Sequence, residues 1–530
     1  MSETLAQRRK RFAITSAAGV LLIGAILVLA NILSNWLFFR VDMTHSHAYS
    51  LSPSSKRLVR QLEDPIVIKV FFTPNLPAPY NVYERYVRDT LTEYRAASKG
   101  NVRFEFVLPY PPADFEKHAQ EAGLFPLQME EQGSDQLSVR RVFMGLVLHY
   151  GDKTETIPVV KDIQQLEYEL TSKIARMTVR QKRTIYYSTG SGEPDWLGAK
   201  SHVAADLSSF YDLKPLNLTA GATQPMTGDG LMVLGPTRKL SDQALWTIDQ
   251  TLMRGAPVAF LVDAKSIYTS QFVAAPLDTG LTPLLQHYGV DLGNHLVYDA
   301  QAETIGIQQS IAGFVIPMQI QYPFIPVITH FTTPHPLARG LETVALPFGT
   351  TVDSAQPMPP GLTFTPLFQS TARSWLLPAT TYSINPGTIP HPKSDEPHGP
   401  YVMGGVVEGT FTSYFEGKPS PFPKQPLIAK SPKTSIVVIG SSHMVDPGMP
   451  EFRGANALMA NVMAWVAQDD VLLGIRAKGD ILRPLKPLTD RQRDTVKAVA
   501  VIVPPLLAAV LGFILWRRRQ AWRRRLGAVL

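Results

Sequence analysis

Two short stretches of the chain gather residue types that do chemistry. Gly190-Ser191-Gly192-Glu193-Pro194-Asp195-Trp196 places two glycines, two carboxylates and an indole side by side. Glycine lets a backbone come close to a phosphate, while carboxylates beside an aromatic face hold sugars by hydrogen bonding and stacking. On that reading Glu193, Asp195 and Trp196 are ligand contacts. The same residues also suit a tight turn from strand to helix, with glycine supplying positive φ. Ser441-Ser442-His443, followed by Asp446, holds the three residue types of a hydrolase triad. A triad needs its nucleophile on a strained elbow with the base in reach, and the chain has no G-x-S-x-G. Capping at a strand end is the plainer expectation there, leaving His443 to line a cleft. Asp263, closing the apolar run Val258–Val262, is a further ligand-contact candidate.

Other chemistries are excluded or weakly supported. The chain has 0 Cys, which removes disulfides, thiolate metal sites and a cysteine nucleophile together. An ATP-binding loop needs G-x-x-x-x-G-K-[ST], and Gly198-Ala199-Lys200-Ser201 comes nearest but inserts Ala before Lys. The pairs His45 with His47, His330 with His335, and His391 with His398 match no i,i+4 helical metal spacing, so loop histidines are expected. No catalytic residue, cofactor or metal is assigned from the residues alone.

The elements that must position the two stretches read as strands alternating with helices. Ile66–Thr73 is a strand, Val82–Ser98 has helical spacing, and Val102–Val107 alternates with period two. Ala113–Ala122 is a helix, Arg141–Tyr150 and Thr154–Val160 pair around Gly151-Asp152, and Ile163–Val179 is a long helix. That order is thioredoxin-like, and without cysteine it predicts a scaffold. Thr184–Ser188 then leads into the glycine stretch, a helix is expected over about 200–210, and Leu231–Leu234 and Val258–Val262 flank a helix at Asp242–Met253. Such alternation predicts a parallel sheet, whose ligands bind beyond the carboxyl ends of the strands. From about Gly306 to Lys433 proline, glycine, threonine and histidine recur, and short strands between loops are expected. Order returns with Ser435–Gly440, a helix over about 453–467 and a strand near 471–475.

The chain ends carry their own signals. Phe12–Phe39 has no charged residue, and a membrane-spanning helix needs roughly 20 apolar residues. It follows Arg8, Arg9, Lys10 and Arg11. Ala498–Trp516 is also uncharged and precedes Arg517, Arg518, Arg519, Arg523, Arg524 and Arg525. Both basic flanks predict cytoplasmic termini, two spans, and residues about 41–495 outside an inner membrane. Ser52-Pro53 is a helix start, and Pro53–Leu62 reads as a short amphipathic helix near the membrane surface. The net charge of +7 sits in these tails rather than on a folded face, which excludes nucleic acid as a partner. The 44 prolines are about 8% of the chain against a usual ~5%, a sign of long ordered loops in the second half.

Four groups of residues carry a family resemblance. They are Asp42-x-Thr44 with Tyr49-Ser50-Leu51-Ser52 to Leu62-Glu63-Asp64-Pro65-Ile66; Glu167-Tyr168-Glu169-Leu170-Thr171-Ser172 with Ile174, through to Gly190-x-Gly192-Glu193-Pro194; Ile248-Asp249-Gln250 with Gly255; and Asn456-Ala457-Leu458 with Trp465-Val466-Ala467, Arg476-x-Lys478 and Arg483-Pro484-Leu485. Together they resemble the GldG-type auxiliary components of ABC transport systems. The resemblance implies a non-enzymatic, membrane-anchored partner of an ABC-2-type permease and a separate ATP-binding subunit. It also implies a central domain related to one in an intraflagellar transport protein and to amidotransferase-like α/β folds. A glycan or lipid ligand is a further implication, and a membrane-anchored glycan-binding protein is the alternative reading.

The expected fold class is α/β, with N- and C-terminal transmembrane helices flanking a thioredoxin-like module and a flavodoxin/amidotransferase-like parallel-sheet domain with a loop-rich β insertion. The expected organisation is a cytoplasmic tail (1–11), a span (12–39), a juxtamembrane helix and thioredoxin-like module (40–182), and a GldG-like α/β domain (183–305 and 434–485). A Pro-rich insertion (306–433) interrupts that domain, and a linker (486–497), a second span (498–516) and a basic tail (517–530) follow.

Overall fold

The computed structural model describes residues 50–473 apart from 109, 133–136, 164, 179–181, 198–206, 221–227, 312–313, 333–334, 378–379, 389–398 and 470–472; beyond 473 it describes only 505, 510, 512–513 and 515–517. The chain divides into a unit over Met1–Asp480 and a second over Ile481–Leu530. In the second, the described positions are helical, and the Phe513 and Trp516 rings lie 5.8 Å apart.

The first part of the large unit is built from α1 (Pro53–Arg60), β1 (Ile66–Phe72), α2 (Tyr83–Ala97), β2 (Val102–Phe106), α3 (Pro112–Glu121), β3 (Leu127–Gln132), β4 (Leu137–Val142), β5 (Met144–Tyr150), β6 (Lys153–Ile157) and α4 (Leu166–Thr178). Its sheet runs β2-β1-β5-β6, with β1 and β2 parallel and the other neighbours antiparallel. Ile66, Ile68 and Val70 point into one core with Val87, Leu91, Leu146, Leu148, Leu170 and Ile174. The predicted turn at Gly151-Asp152 joins β5 to β6. Arg141–Tyr150 is not one strand. It breaks at Phe143, and β4 pairs instead with β3 as a separate hairpin.

Helix α1 packs on the module. Val59 and Leu62 are buried in the module core, and Ser52 caps the helix by accepting from the Ser55 N–H at 3.1 Å. The buried Glu167 carboxylate accepts from the Ser52 N–H at 2.6 Å and the Ser55 hydroxyl at 2.7 Å. An anion at a helix N-terminus meets its unpaired N–H groups, so α4 holds α1 by its first turn.

The rest comprises β7 (Thr184–Thr189), β8 (Asp212–Asn217), β9 (Gly230–Leu234), α5 (Asp242–Met253), β10 (Val258–Leu261), β11 (Lys265–Tyr268), β12 (Val273–Pro276), α6 (Thr282–His287), β13 (Val290–Leu292), β14 (Val297–Asp299), β15 (Ala302–Ile311), β16 (Phe314–Ile328), β17 (His330–Phe331), β18 (Val344–Ala345), β19 (Val352–Ser354), β20 (Leu362–Gln369), β21 (Ser374–Leu376), β22 (Tyr382–Ser383), β23 (Val402–Thr412), β24 (Lys430–Ile439) and α7 (Ala455–Val466). The main sheet runs β17-β20-β23-β24-β10-β9-β7-β8. From β24 to β8 every pairing is parallel; from β17 to β24 every pairing is antiparallel. β9 and β10 are buried along their whole length because both faces are covered. Met232, Leu234, Ala259 and Leu261 face the α7 side, while Leu231, Val233, Val258 and Phe260 face α5.

Two expectations are corrected here. The insertion is not a loop-rich attachment beside a purely parallel sheet, since β17, β20 and β23 extend that sheet through antiparallel pairing. The fold class with terminal transmembrane helices, and with it the inner-membrane location with cytoplasmic termini, is not upheld. Among the described residues no helix is long and apolar enough to cross a membrane. Residues 12–39 and most of 498–516 lie outside the described residues. The helix expected over about 200–210 and the Gly198–Ser201 run fall mainly outside them too, and Leu473, placed in an expected strand, is helical.

Candidate functional site

The carboxyl ends of β7, β9, β10 and β24 bring the sequence candidates to one sheet edge. After β7 the chain turns through Gly190 and Gly192, with φ of 99° and 86°. The loop is tied to the residues after β9. Ser191 C=O accepts from the Thr237 and Arg238 N–H groups, both at 3.0 Å. Gly192 C=O accepts from the Thr237 hydroxyl at 3.0 Å, and Gly190 C=O from the Arg238 guanidinium at 3.1 Å. A side chain at Gly192 would collide with the Thr237 hydroxyl. The Ser191 N–H is taken by the Glu193 carboxylate at 2.6 Å. A phosphate loop offers its N–H groups outward; this one turns three carbonyls toward a clamp and closes an N–H on its own carboxylate.

The three contact candidates in this loop differ in access. Trp196 is 1% exposed and meets the Tyr187 ring edge-on at 5.7 Å, so its face is spent inside the core. Asp195 is exposed and Glu193 half-buried. Burial, and then the Asp195 carboxylate, pushes the Tyr187 phenol up. The Trp196 Nε1 and Glu193 Oε1 atoms are buried without a hydrogen-bond partner among the described residues.

Asp263 and Ser442 meet across 179 positions of sequence. The Ser442 N–H donates to Asp263 Oδ1 at 2.8 Å, and the Ser442 hydroxyl donates to Asp263 Oδ2. Both residues are buried, and Gly235 has no room for a side chain because Ser442 stands against it. Ser441 is separately engaged, donating to Pro347 C=O at 2.6 Å. His443 Nε2 stands 4.0 Å from Asp263 Oδ2, and its Nδ1 stands 4.0 Å from Asp446 Oδ2. The His443 ring packs edge-on against Phe348 of the insertion at 5.5 Å. In a triad the serine gives its proton to histidine. Here the serine hydroxyl hydrogen-bonds a carboxylate instead, and His443 lies beyond hydrogen-bond reach of both acids. The arrangement fastens the ends of β10 and β24 to each other.

A family model described as an ABC-type uncharacterized transport system matches residues 182–466, more than half of the chain. The chain belongs to this ABC transporter auxiliary family. The match takes in the parallel strands, the glycine loop, the Asp263–Ser442 pair and the antiparallel extension. A domain of unknown function matches residues 45–149. An uncharacterized protein of Borreliella burgdorferi is 21% identical over 501 residues, covering 91% of this chain and 94% of that protein. Two solved structures overlap loosely. The mmIFT52 N-terminal domain has a TM-score of 0.33 at 14% identity, over 54% of this chain and 98% of that one. A Thermoplasma acidophilum protein described as a component of GMP synthase has a TM-score of 0.26 at 10% identity, over 55% and 96%. Overlaps this loose say nothing of what the auxiliary-family chain does.

Some weight-bearing polar residues carried no chemical label in the sequence. Asp249, on α5, is fully buried and accepts from the Tyr288 hydroxyl at 2.6 Å, the Tyr414 N–H at 2.7 Å, the Ser413 hydroxyl at 2.7 Å and the Gln250 amide at 2.8 Å. Burial, and then the Asp249 charge, drives the Tyr288 phenol well above its usual range. An acid at an inward helical position is the sequence signal for such a clamp, because a buried carboxylate must be satisfied. Among the described residues no group of three or more His, Asp or Glu could hold a metal. His335 is half-buried, its ring 4.7 Å from Trp465. His45, His47, His391 and His398 lie outside the described residues.

Proposed function

We propose that the chain is a GldG-type auxiliary subunit that works with an ABC-2-type permease and a separate ATP-binding subunit, and that it does no catalysis itself. The observation that supports this is the family match over 182–466. The same span contains the hydrolase-like residues, and there the Ser442 hydroxyl is committed to the Asp263 carboxylate. In this reading the sheet edge is a rigid mount: the pair rivets β10 to β24, and the Gly190–Glu193 clamp fixes β7 to the segment after β9. A rigid mount suits a subunit that passes on a partner's movement, since packed elements shift as bodies.

The test is recovery of the tagged full chain from its own host in mild detergent. A multi-span permease and a polypeptide with an ATP-binding loop should co-elute in fixed ratio. Recovery of the chain with neither, over a range of detergents, would overturn the proposal.

A further inference from the structure

The β15–β16 ribbon has an uncommitted face. Its backbone register runs from Thr304 opposite Gln321 to Ile311 opposite Phe314. Among the described residues β18 joins β16 at Val327 and Ile328, and from Thr304 to Ile311 the ribbon is two strands wide. Such a ribbon is marginal in water unless something covers it. Directly opposed residues share a face, and successive pairs alternate between faces. Ile305 with Ile320 and Ile307 with Met318 therefore lie on one face; Thr304 with Gln321, Gly306 with Gln319 and Gln308 with Pro317 lie on the other. At these six positions the second face is exposed, and a side chain at Gly306 would meet open space. On the apolar face Ile305 packs on the domain core, Ile307 and Ile320 are half-buried, and Met318 is 38% exposed.

Charge narrows what can cover this face. Between Glu303 and Arg339 the sequence holds no Asp, Glu, Lys or Arg. Natural ribbons in water carry charges that guard them against association, and interface centres are depleted of charge. On β16, Pro317 has no N–H, which disfavours an added strand along that edge of the ribbon. Area narrows it further. Eight paired residues at ~3.3 Å rise and two strands ~4.8 Å apart give a face of roughly 250 Å², about a third of the ~800 Å² per partner of a stable interface. A second copy held by this face alone would not stay bound. An occupant that grips the chain elsewhere as well would.

We infer that the apolar face of this ribbon, centred on Ile307 and Met318, docks on an uncharged apolar surface of the transporter partner; this rests on the auxiliary-subunit reading above. The experiment uses the full-length tagged chain in its own host, with a photo-crosslinking phenylalanine at Met318 and, as the opposite-face control, at Gln319. The Met318 probe should link to the permease at least tenfold more than the Gln319 probe. Ile307→Glu should reduce permease recovery about tenfold, while Gln308→Glu, which adds the same charge on the other face, should leave it unchanged. The melting temperature of each variant separates lost docking from lost folding. Links to a second copy or to lipid, or equal recovery by Ile307→Glu and wild type, would overturn the ribbon contact. Failure of the unsubstituted chain to recover any permease would instead overturn the functional reading beneath it.

Discussion

Ser442 presents both of its donors to the two oxygens of Asp263, its N–H at 2.8 Å and its hydroxyl alongside. The pair joins strands that are 179 residues apart in sequence and neighbours in the sheet. Hydrogen bonds to a charged group are worth about 1.5–3 kcal/mol. Ser442→Ala should therefore lower unfolding free energy by about 2 kcal/mol, measured by urea denaturation, because one buried carboxylate oxygen loses its donor. Function in cells should fall only as far as the folded fraction falls. Loss of function at wild-type abundance and melting temperature would show that the hydroxyl does chemistry.

Asp249 is the more heavily used acid. Its carboxylate takes four donors, and helix α5 is thereby pinned to the loop at Ser413–Tyr414. Asp249→Ala strands those donors in a buried site and, at about 1–3 kcal/mol for each one left unmet, should cost more than about 3 kcal/mol. Tyr288→Phe removes one bond to the carboxylate and should cost about 2 kcal/mol. The contrast, read by chemical denaturation, separates a clamp from a single contact.

His335 should make the fold acid-sensitive. Burial, and then the Arg339 guanidinium, holds its pKa down at about 4. Its Nδ1 accepts the Leu337 N–H at 3.3 Å, an acceptor that protonation removes. The unfolded chain, with an ordinary histidine pKa near ~6.5, binds that proton first as pH falls. The stabilising share of this residue is thus complete above about 6.5 and is lost as pH drops toward 4. Melting temperature against pH should show the slope in wild type, and His335→Phe should flatten it over the same window.

The lock on helix α1 has a proteolytic signature. Glu167 receives the Ser52 N–H and the Ser55 hydroxyl, and Ser55 also contacts Thr171 at 2.9 Å. Glu167→Ala should free the first turn of α1 and expose Lys56, Arg57 and Arg60 to trypsin, raising the cleavage rate about tenfold. An unchanged rate would mean that Val59 and Leu62 hold the helix unaided.

Strand and helix positions were legible where periodicity and burial agree. Leu231–Leu234 and Val258–Val262 announce buried parallel strands, and Asp242–Met253 is the helix its spacing predicts. Val402–Thr412 was not legible. It lies where only short strands between loops are expected, yet the Phe368 and Phe364 rings of β20 press directly on Gly404 and Gly405, so glycine there makes room in a long strand. At the candidate site, the sequence placed the glycine loop and Asp263 beyond the carboxyl ends of the strands, and read Ser442 only as a cap at a strand end. It held no sign that Ser442 and Asp263 bond to each other, because long-range pairing leaves no local pattern. Trp196 looked like an exposed platform from composition, whereas its ring completes the core beside Tyr187.

The proposed auxiliary role makes a direct claim about binding. The sharpest measurement is titration of purified full-length chain onto the purified permease–ATPase pair from the same host. The account predicts saturable association with Kd at or below about 1 µM, equivalent to roughly −8 kcal/mol. Absence of binding at about 100 µM, with both components folded and the ATPase active, would contradict it.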